Sequence, residues 1–208
     1  MKTIAWDVDD VLNDLMRVWF ESVWSFEHAG GNCLCYGDLN ENPPHNILGL
    51  TKDEYLKSLD AFRLSEAATK LKPNQEILQW LDQNGHGCRH LALTAVPLCA
   101  AHFSAAWVFK HFGKWIRTFH IVPSPRMNEN IPQYDRSKDD FLKWIDKIDI
   151  LVDDNPDSIK GADSVGIKGV LYPRPWNQSK LSLNETLDLL TFSIRERFCE
   201  NGCTHKQV

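Results

Sequence analysis

The spacing of apolar residues changes period several times along the chain, and each change marks an element. Residues 3 to 8, Thr-Ile-Ala-Trp-Asp-Val, form an apolar run that ends in carboxylates, which predicts a short buried strand. Residues 12 to 28 then repeat apolar side chains at helical spacing. Further helices are expected near 51 to 59, where Thr51 and Glu54 form a capping box, and near 63 to 70. Nothing in this stretch has the pattern of a strand. From Pro73 helix and strand alternate: helix 74 to 83, stops at Gly85 and Gly87, strand 89 to 94, helix 98 to 111, strand 118 to 122. A helix capped by Ser137 runs through 146, followed by strand 148 to 152, helix 156 to 162, strand 168 to 172 and a last helix from Ser182, whose box partner is Glu185.

Such alternation predicts an α/β fold, a three-layer sandwich in which helices cover both faces of a parallel, Rossmann-like sheet through right-handed crossovers. The helical stretch 14–71 interrupts the alternation after the first strand and reads as a small inserted helical cap. The core is then residues 1–13 together with 72–208. Residues 123 to 136 read as a longer polar loop, and the tail beyond Phe198 as loosely held.

A chain of 208 residues has room for one substantial core and an appendage, not for two full-sized domains. Its formal net charge of −5, with no basic stripe, argues against a nucleic-acid polymer as partner. A small anionic substrate would need local help from a metal, a lysine and backbone N–H groups. No apolar run is long enough for a bilayer, and no secretory pattern precedes the first strand, so no membrane association is expected. Six cysteines spread over an ordinary core-forming composition point to a reducing cytoplasm. Neither Cys33-x-Cys35 nor the tail cluster Cys199, Cys203, His205 has a full four-ligand zinc spacing, and both read as ordinary side chains. The working unit is expected to be a monomer or a homodimer.

In open parallel sheets, sites form beyond the carboxyl ends of the strands, so the polar residues there carry the candidate chemistry. The first strand ends Trp6-Asp7-Val8-Asp9-Asp10, and period-2 geometry sends Asp7 and Asp9 to one side. Two carboxylates in one small space need a cation, and Mg2+ suits oxygen ligands. Asp7 can then attack phosphorus, with Asp9 as acid and base. At the end of the second strand, the Thr94 hydroxyl and the Ala95 N–H can hold a phosphate oxygen. Lys138 opens a helix, an unfavourable place for a cation unless it faces an anion, and Arg126 in the preceding loop is the competing cation. The run Ile150-Leu151-Val152-Asp153-Asp154 is a buried strand ending in a second acidic pair, again calling for a metal, with either aspartate able to be the direct ligand.

Taken in order, Asp7-Val8-Asp9, Thr94, Lys138 and Asp153-Asp154 resemble the motifs of the haloacid dehalogenase (HAD) superfamily of phosphohydrolases. The resemblance implies a HAD-like fold with a cap after the first motif. It also implies Asp7 as nucleophile, Asp9 as acid/base, Thr94 and Lys138 as phosphate ligands, and Asp153 with Asp154 as metal carboxylates. Mg2+ is therefore expected to be held among Asp7, Asp9, Asp153 and Asp154. A closer similarity, through Asp7 to Leu12, Ile150 to Asp157 and Pro175-Trp176-Asn177, is to the 5′(3′)-deoxyribonucleotidases, which usually carry Gly where this chain has Asp10. The implied activity is hydrolysis of small phosphorylated metabolites such as nucleoside monophosphates, with sugar phosphates as the alternative. Phe20 and Trp24, at i and i+4 and off the expected core stripe Leu12, Leu15, Trp19, Val23, Phe26, are candidates to stack a base.

Overall fold

The computed structural model describes residues 1–28, 34–126, 129–132 and 134–195. Cys33, Cys199, Cys203 and His205 lie outside them. Five parallel strands, β1 (Lys2–Trp6), β2 (Cys88–Val96), β3 (Ile116–Pro123), β4 (Ile150–Asp153) and β5 (Lys168–Leu171), form one sheet in the order β3-β2-β1-β4-β5. The first strand in sequence is thus the middle strand in space. Trp6 pairs with Ala92 on one side and Val152 on the other, so Asp7, Thr94 and Asp153 all emerge at the same edge.

Alternation along the strands sorts side chains to two faces. Ile4, Trp6, Ala92, Ile150, Val152 and Val170 face α5 (Gln75–Asn84), α6 (Leu98–Phe112) and α9 (Leu183–Arg195) through Ile77, Trp80, Val108, Phe112 and Leu190. Ala5, Leu91, Leu93 and Leu151 face α7 (Lys138–Ile145) and α8 (Pro156–Ser164) through Phe141, Leu142 and Ala162. The result is the expected three-layer α/β sandwich. One polar pair lies inside it: buried His90 on β2 takes the Trp6 indole N–H on Nδ1 at 3.1 Å, and its Nε2 lies 2.9 Å from the Gly85 carbonyl.

Between β1 and α5 the described residues contain helices and no strand. These include α1 (Leu15–Trp19), a π-helical turn (Phe20–Trp24), α2 (Ser25–Glu27), α3 (Lys52–Arg63) and α4 (Glu66–Thr69). The two helices expected at 51–59 and 63–70 are divided differently. The Thr51–Glu54 capping box starts one long helix that runs to Arg63, and Ser65, whose Oγ accepts the Ala68 N–H at 3.3 Å, starts a short one. Trp19, Phe20, Leu39, Tyr55, Leu59 and Phe62 belong to the same apolar cluster as Ile4 and Trp6, so this segment and the sheet share one core.

The expected stacking pair takes a different place. Phe20 and Trp24 stack on each other at 5.1 Å and are buried in that core, while Phe26 of the expected core stripe is 80% exposed. For Trp24 and Phe26 the cause is the π-helical turn. Its wider i→i+5 repeat puts Trp24 on the face of Trp19 and moves Phe26 outward, whereas Phe20, which begins the turn, is buried beside Trp19 in ordinary helical geometry.

Candidate active site

β1 ends in an irregular turn, residues 8–12, and its backbone decides where three aspartates point. Asp7 is extended and accepts the Val8 N–H on Oδ1 at 2.8 Å. Asp10 sits in the left-handed region at φ 63°, a conformation Gly adopts freely and Asp tolerates because its short side chain can bond locally. Here the Asp10 carboxylate takes the Met16 N–H at 2.9 Å, and the Asp10 N–H donates to Asn13 Oδ1 at 3.2 Å.

Asp7, Asp153 and Asp154 are buried and offer carboxylate oxygens that all lie within 4.8 Å of one another. Lys138, the first residue of α7, sends its ammonium between two of them, 2.9 Å from Asp7 and 2.6 Å from Asp153. That explains a cation at a helix start: it serves the strand ends, not its own helix. Burial pushes the Asp7 carboxyl up to about 7, against the pull of Lys138, and the Asp153 charge adds to the rise. Burial, together with the Asp153 and Asp7 charges, raises Asp154 well above the usual carboxylate range. Lys138 is itself raised, because the two carboxylates outweigh its desolvation. Three desolvated carboxylates against one ammonium form a donor set that suits a hard divalent cation with oxygen ligands. Trp176 holds this set in place by donating its indole N–H to Asp154 Oδ2 at 2.7 Å, and Asn177 donates to the Asp154 carbonyl at 2.8 Å.

Asp9 does not join this trio, contrary to the expectation that it would share a metal with Asp7. The pleat that would have aligned the two side chains stops at Trp6, and the turn swings Asp9 towards α3. There its Oδ2 receives Nε and Nη2 of Arg63 at 3.2 and 3.0 Å. Arg126 stands apart from the carboxylate trio as well. It binds Asp60 of α3 through Nε at 2.6 Å and Nη2 at 2.9 Å. Of the two competing cations, Lys138 is therefore the one beside Asp7.

Thr94 is buried and, with Ala95, lines a cleft of about 630 Å³ that also takes in Asp7, Asp9, Lys138, Asp153 and Asp154. Phe20 and Trp24 are not among its lining residues; Tyr55 is the aromatic ring there, buried at its edge. Sequence reasoning missed Arg63, Asp60 and Arg174. Arg174 donates to the Asp10 and Asn13 carbonyls and pairs with Asp14 at 2.6 Å, pinning the turn after β1. It follows β5 closely, so the strand-end rule that singled out the aspartates could have found it. Arg63 lies inside a helix and meets a partner 54 positions away, and nothing local announces that.

No protein-family model matches the sequence, and no curated protein matches it. Solved structures do match in fold. A protein named a phosphoglycolate phosphatase from Lactobacillus delbrueckii subsp. bulgaricus superposes with a TM-score of 0.58 at 14% identity, over 93% of this chain and 98% of its own. A HAD-superfamily hydrolase of subfamily IA from Geobacter sulfurreducens gives 0.52 at 16% identity, over 91% and 96%. The HAD hydrolase YfnB from Bacillus subtilis, bound to magnesium, gives 0.52 at 12%, over 93% and 98%. The fold is the HAD-like α/β fold.

Proposed function

We propose that this chain is a Mg2+-dependent phosphomonoester hydrolase in which Asp7 is the nucleophile. The observation that carries the reading is the buried trio Asp7, Asp153 and Asp154 with Lys138 between two of its members, at the carboxyl ends of adjacent parallel strands. Similarity in fold to HAD hydrolases, one of them bound to magnesium, supports it.

In this reading Asp7, Asp153 and Asp154 hold the ion, whose charge offsets that of the phosphoryl group when bound. A carboxylate oxygen of Asp7 forms a bond to phosphorus as the bond to the alcohol oxygen breaks, and Asp9 gives that oxygen a proton. Asp9 then takes a proton from water, whose oxygen attacks phosphorus and releases inorganic phosphate and free Asp7. The Thr94 hydroxyl, the Ala95 N–H and Lys138 steady the non-bridging oxygens. Residues 14–71 act as the cap that excludes water from this step.

The substrate we infer is a small phosphorylated metabolite. A nucleoside monophosphate, suggested by the resemblance to deoxyribonucleotidases, loses its stacking pair to the core, which leaves a sugar phosphate or another small phosphomonoester as the better-supported class. The test is hydrolysis of a panel of nucleoside and sugar phosphates with Mg2+. Asp7→Asn should abolish turnover and Asp9→Asn should lower it by ~10²- to 10⁴-fold. Full activity in Asp7→Asn, or in excess chelator, would overturn the mechanism.

A further inference from the structure

Several cations line the same cleft as the carboxylate trio. In a chain of formal net charge −5, Lys52, Arg63, Arg126 and Arg136 all line the cleft. Arg63 and Arg126 are organised as a unit around one carboxylate. Asp60 receives Arg63 Nη1 at 3.0 Å and Arg126 Nε and Nη2 at 2.6 and 2.9 Å. Ser124 fixes the remaining Arg126 nitrogen through its carbonyl at 2.8 Å and its hydroxyl at 2.9 Å.

Two guanidinium groups and one carboxylate leave one positive charge in excess. Asp9 Oδ2 meets that excess by accepting from Nε and Nη2 of Arg63. The side chains of Arg63, Asp60 and Asp9 are 13%, 15% and 18% exposed, so solvent cannot replace Asp9 cheaply. Yet Asp9 is the residue that must turn towards the alcohol oxygen of the substrate. Something has to take its place on Arg63.

We propose that the Arg63–Asp60–Arg126 unit is the receptor for a second anionic group, a carboxylate or a further phosphate, carried on the alcohol portion of the phosphomonoester. Such a group accepts the two Arg63 N–H donors in the planar geometry a guanidinium presents, and so releases the Asp9 side chain. A neutral alcohol portion leaves the excess charge without a partner and does not make the exchange. The unit thus selects phosphorylated acids and bisphosphates over neutral phosphomonoesters. This inference rests on the phosphomonoesterase reading, and its test separates the two.

The test is calorimetric binding, with Mg2+ present, of straight-chain phosphonocarboxylates of two to four carbons against alkylphosphonates of equal length, since neither series can be hydrolysed. At one chain length the phosphonocarboxylate should bind about 30-fold tighter. Arg63→Gln should reduce that ratio to roughly threefold or less while leaving the alkylphosphonate affinity within about threefold of the parent. Arg126→Gln, which keeps the Arg63–Asp9 pair, should lower the ratio by an intermediate amount and serves if Arg63→Gln fails to fold. Equal binding at every length, or a ratio that survives both variants, would overturn the receptor. Turnover of p-nitrophenyl phosphate is measured alongside. Its absence, together with absence of turnover of every other phosphomonoester tried, counts against the proposed reaction and leaves the binding ratio as the measure of the receptor.

Discussion

At the scale of single residues, the turn after β1 shows how one backbone angle distributes chemistry. Asp10 can occupy its left-handed position because its carboxylate is spent on the Met16 N–H. Asp10→Gly should keep the turn and lose the cap, costing about 1 kcal/mol, while Asp10→Val should add strain of about 1–3 kcal/mol; denaturant unfolding of both variants checks the order. Asp7 gives a second prediction. Its carboxyl is raised by burial to about 7, above the unfolded value near 3.8. A raised carboxyl stabilises the folded state fully below the unfolded value, and this contribution is lost as pH rises through the folded one. Metal-free protein should therefore lose stability between about pH 4 and 7 from this group, and because Mg2+ competes with protons for these carboxylates, added Mg2+ should raise the melting temperature more at pH 7.5 than at pH 5. An equal shift at both values would contradict the assignment of Asp7 to the ion.

At the scale of elements, the strands were legible because buried parallel strands are short apolar runs bounded by polar residues, and β1, β2, β4 and β5 fall where such runs stand. Within β2, His90 is a polar residue in an apolar run, satisfied by Trp6 on one ring nitrogen and Gly85 on the other. Burial lowers its pKa from the usual 6.5. The neutral ring then stabilises the folded state above about pH 6.5, and that contribution is lost as pH falls below it. Urea unfolding with Mg2+ should show His90→Gln weaker than the parent by roughly 1–2 kcal/mol at pH 7.5, with the gap closing towards pH 5. A gap independent of pH would mean that the ring does not titrate in this range. Helical faces were less legible than strands. A stripe extrapolated from Leu12 at 3.6 residues per turn fails where the π-helical turn intervenes, and no residue in Phe20–Trp24 signals that turn. The site divided in the same way. Asp7, Thr94 and Asp153 stand out because strand ends are marked in sequence, whereas Arg63 and Asp60 come from a helix whose facing partners are set only by packing.

At the scale of the whole molecule, Asp60 and Arg126 tie α3 to the loop after β3, and Arg63 ties it to the turn after β1. Asp60→Asn leaves two guanidinium groups without their shared carboxylate and should lower global stability by about 1–3 kcal/mol, a value reduced from that of a fully buried pair because the groups are partly exposed. Hydrogen exchange in residues 52–63 should speed up more than in β1 or β4, as expected if the link is what holds this helix over the cleft. Uniform acceleration across the sheet would mean that Asp60 serves the fold as a whole.

The strand order carries a consequence for biosynthesis. β1 leaves the ribosome well before its neighbours β2 and β4, which begin at Cys88 and Ile150. At ordinary translation speeds the apolar run around Trp6 waits on the order of ten seconds before both flanks of its pairing exist. Over that interval the nascent chain exposes a strand with two open edges, which makes it a template for pairing with other chains. Refolding from denaturant, where all strands are present at once, should consequently be less prone to aggregation than synthesis of chains truncated before Ile150.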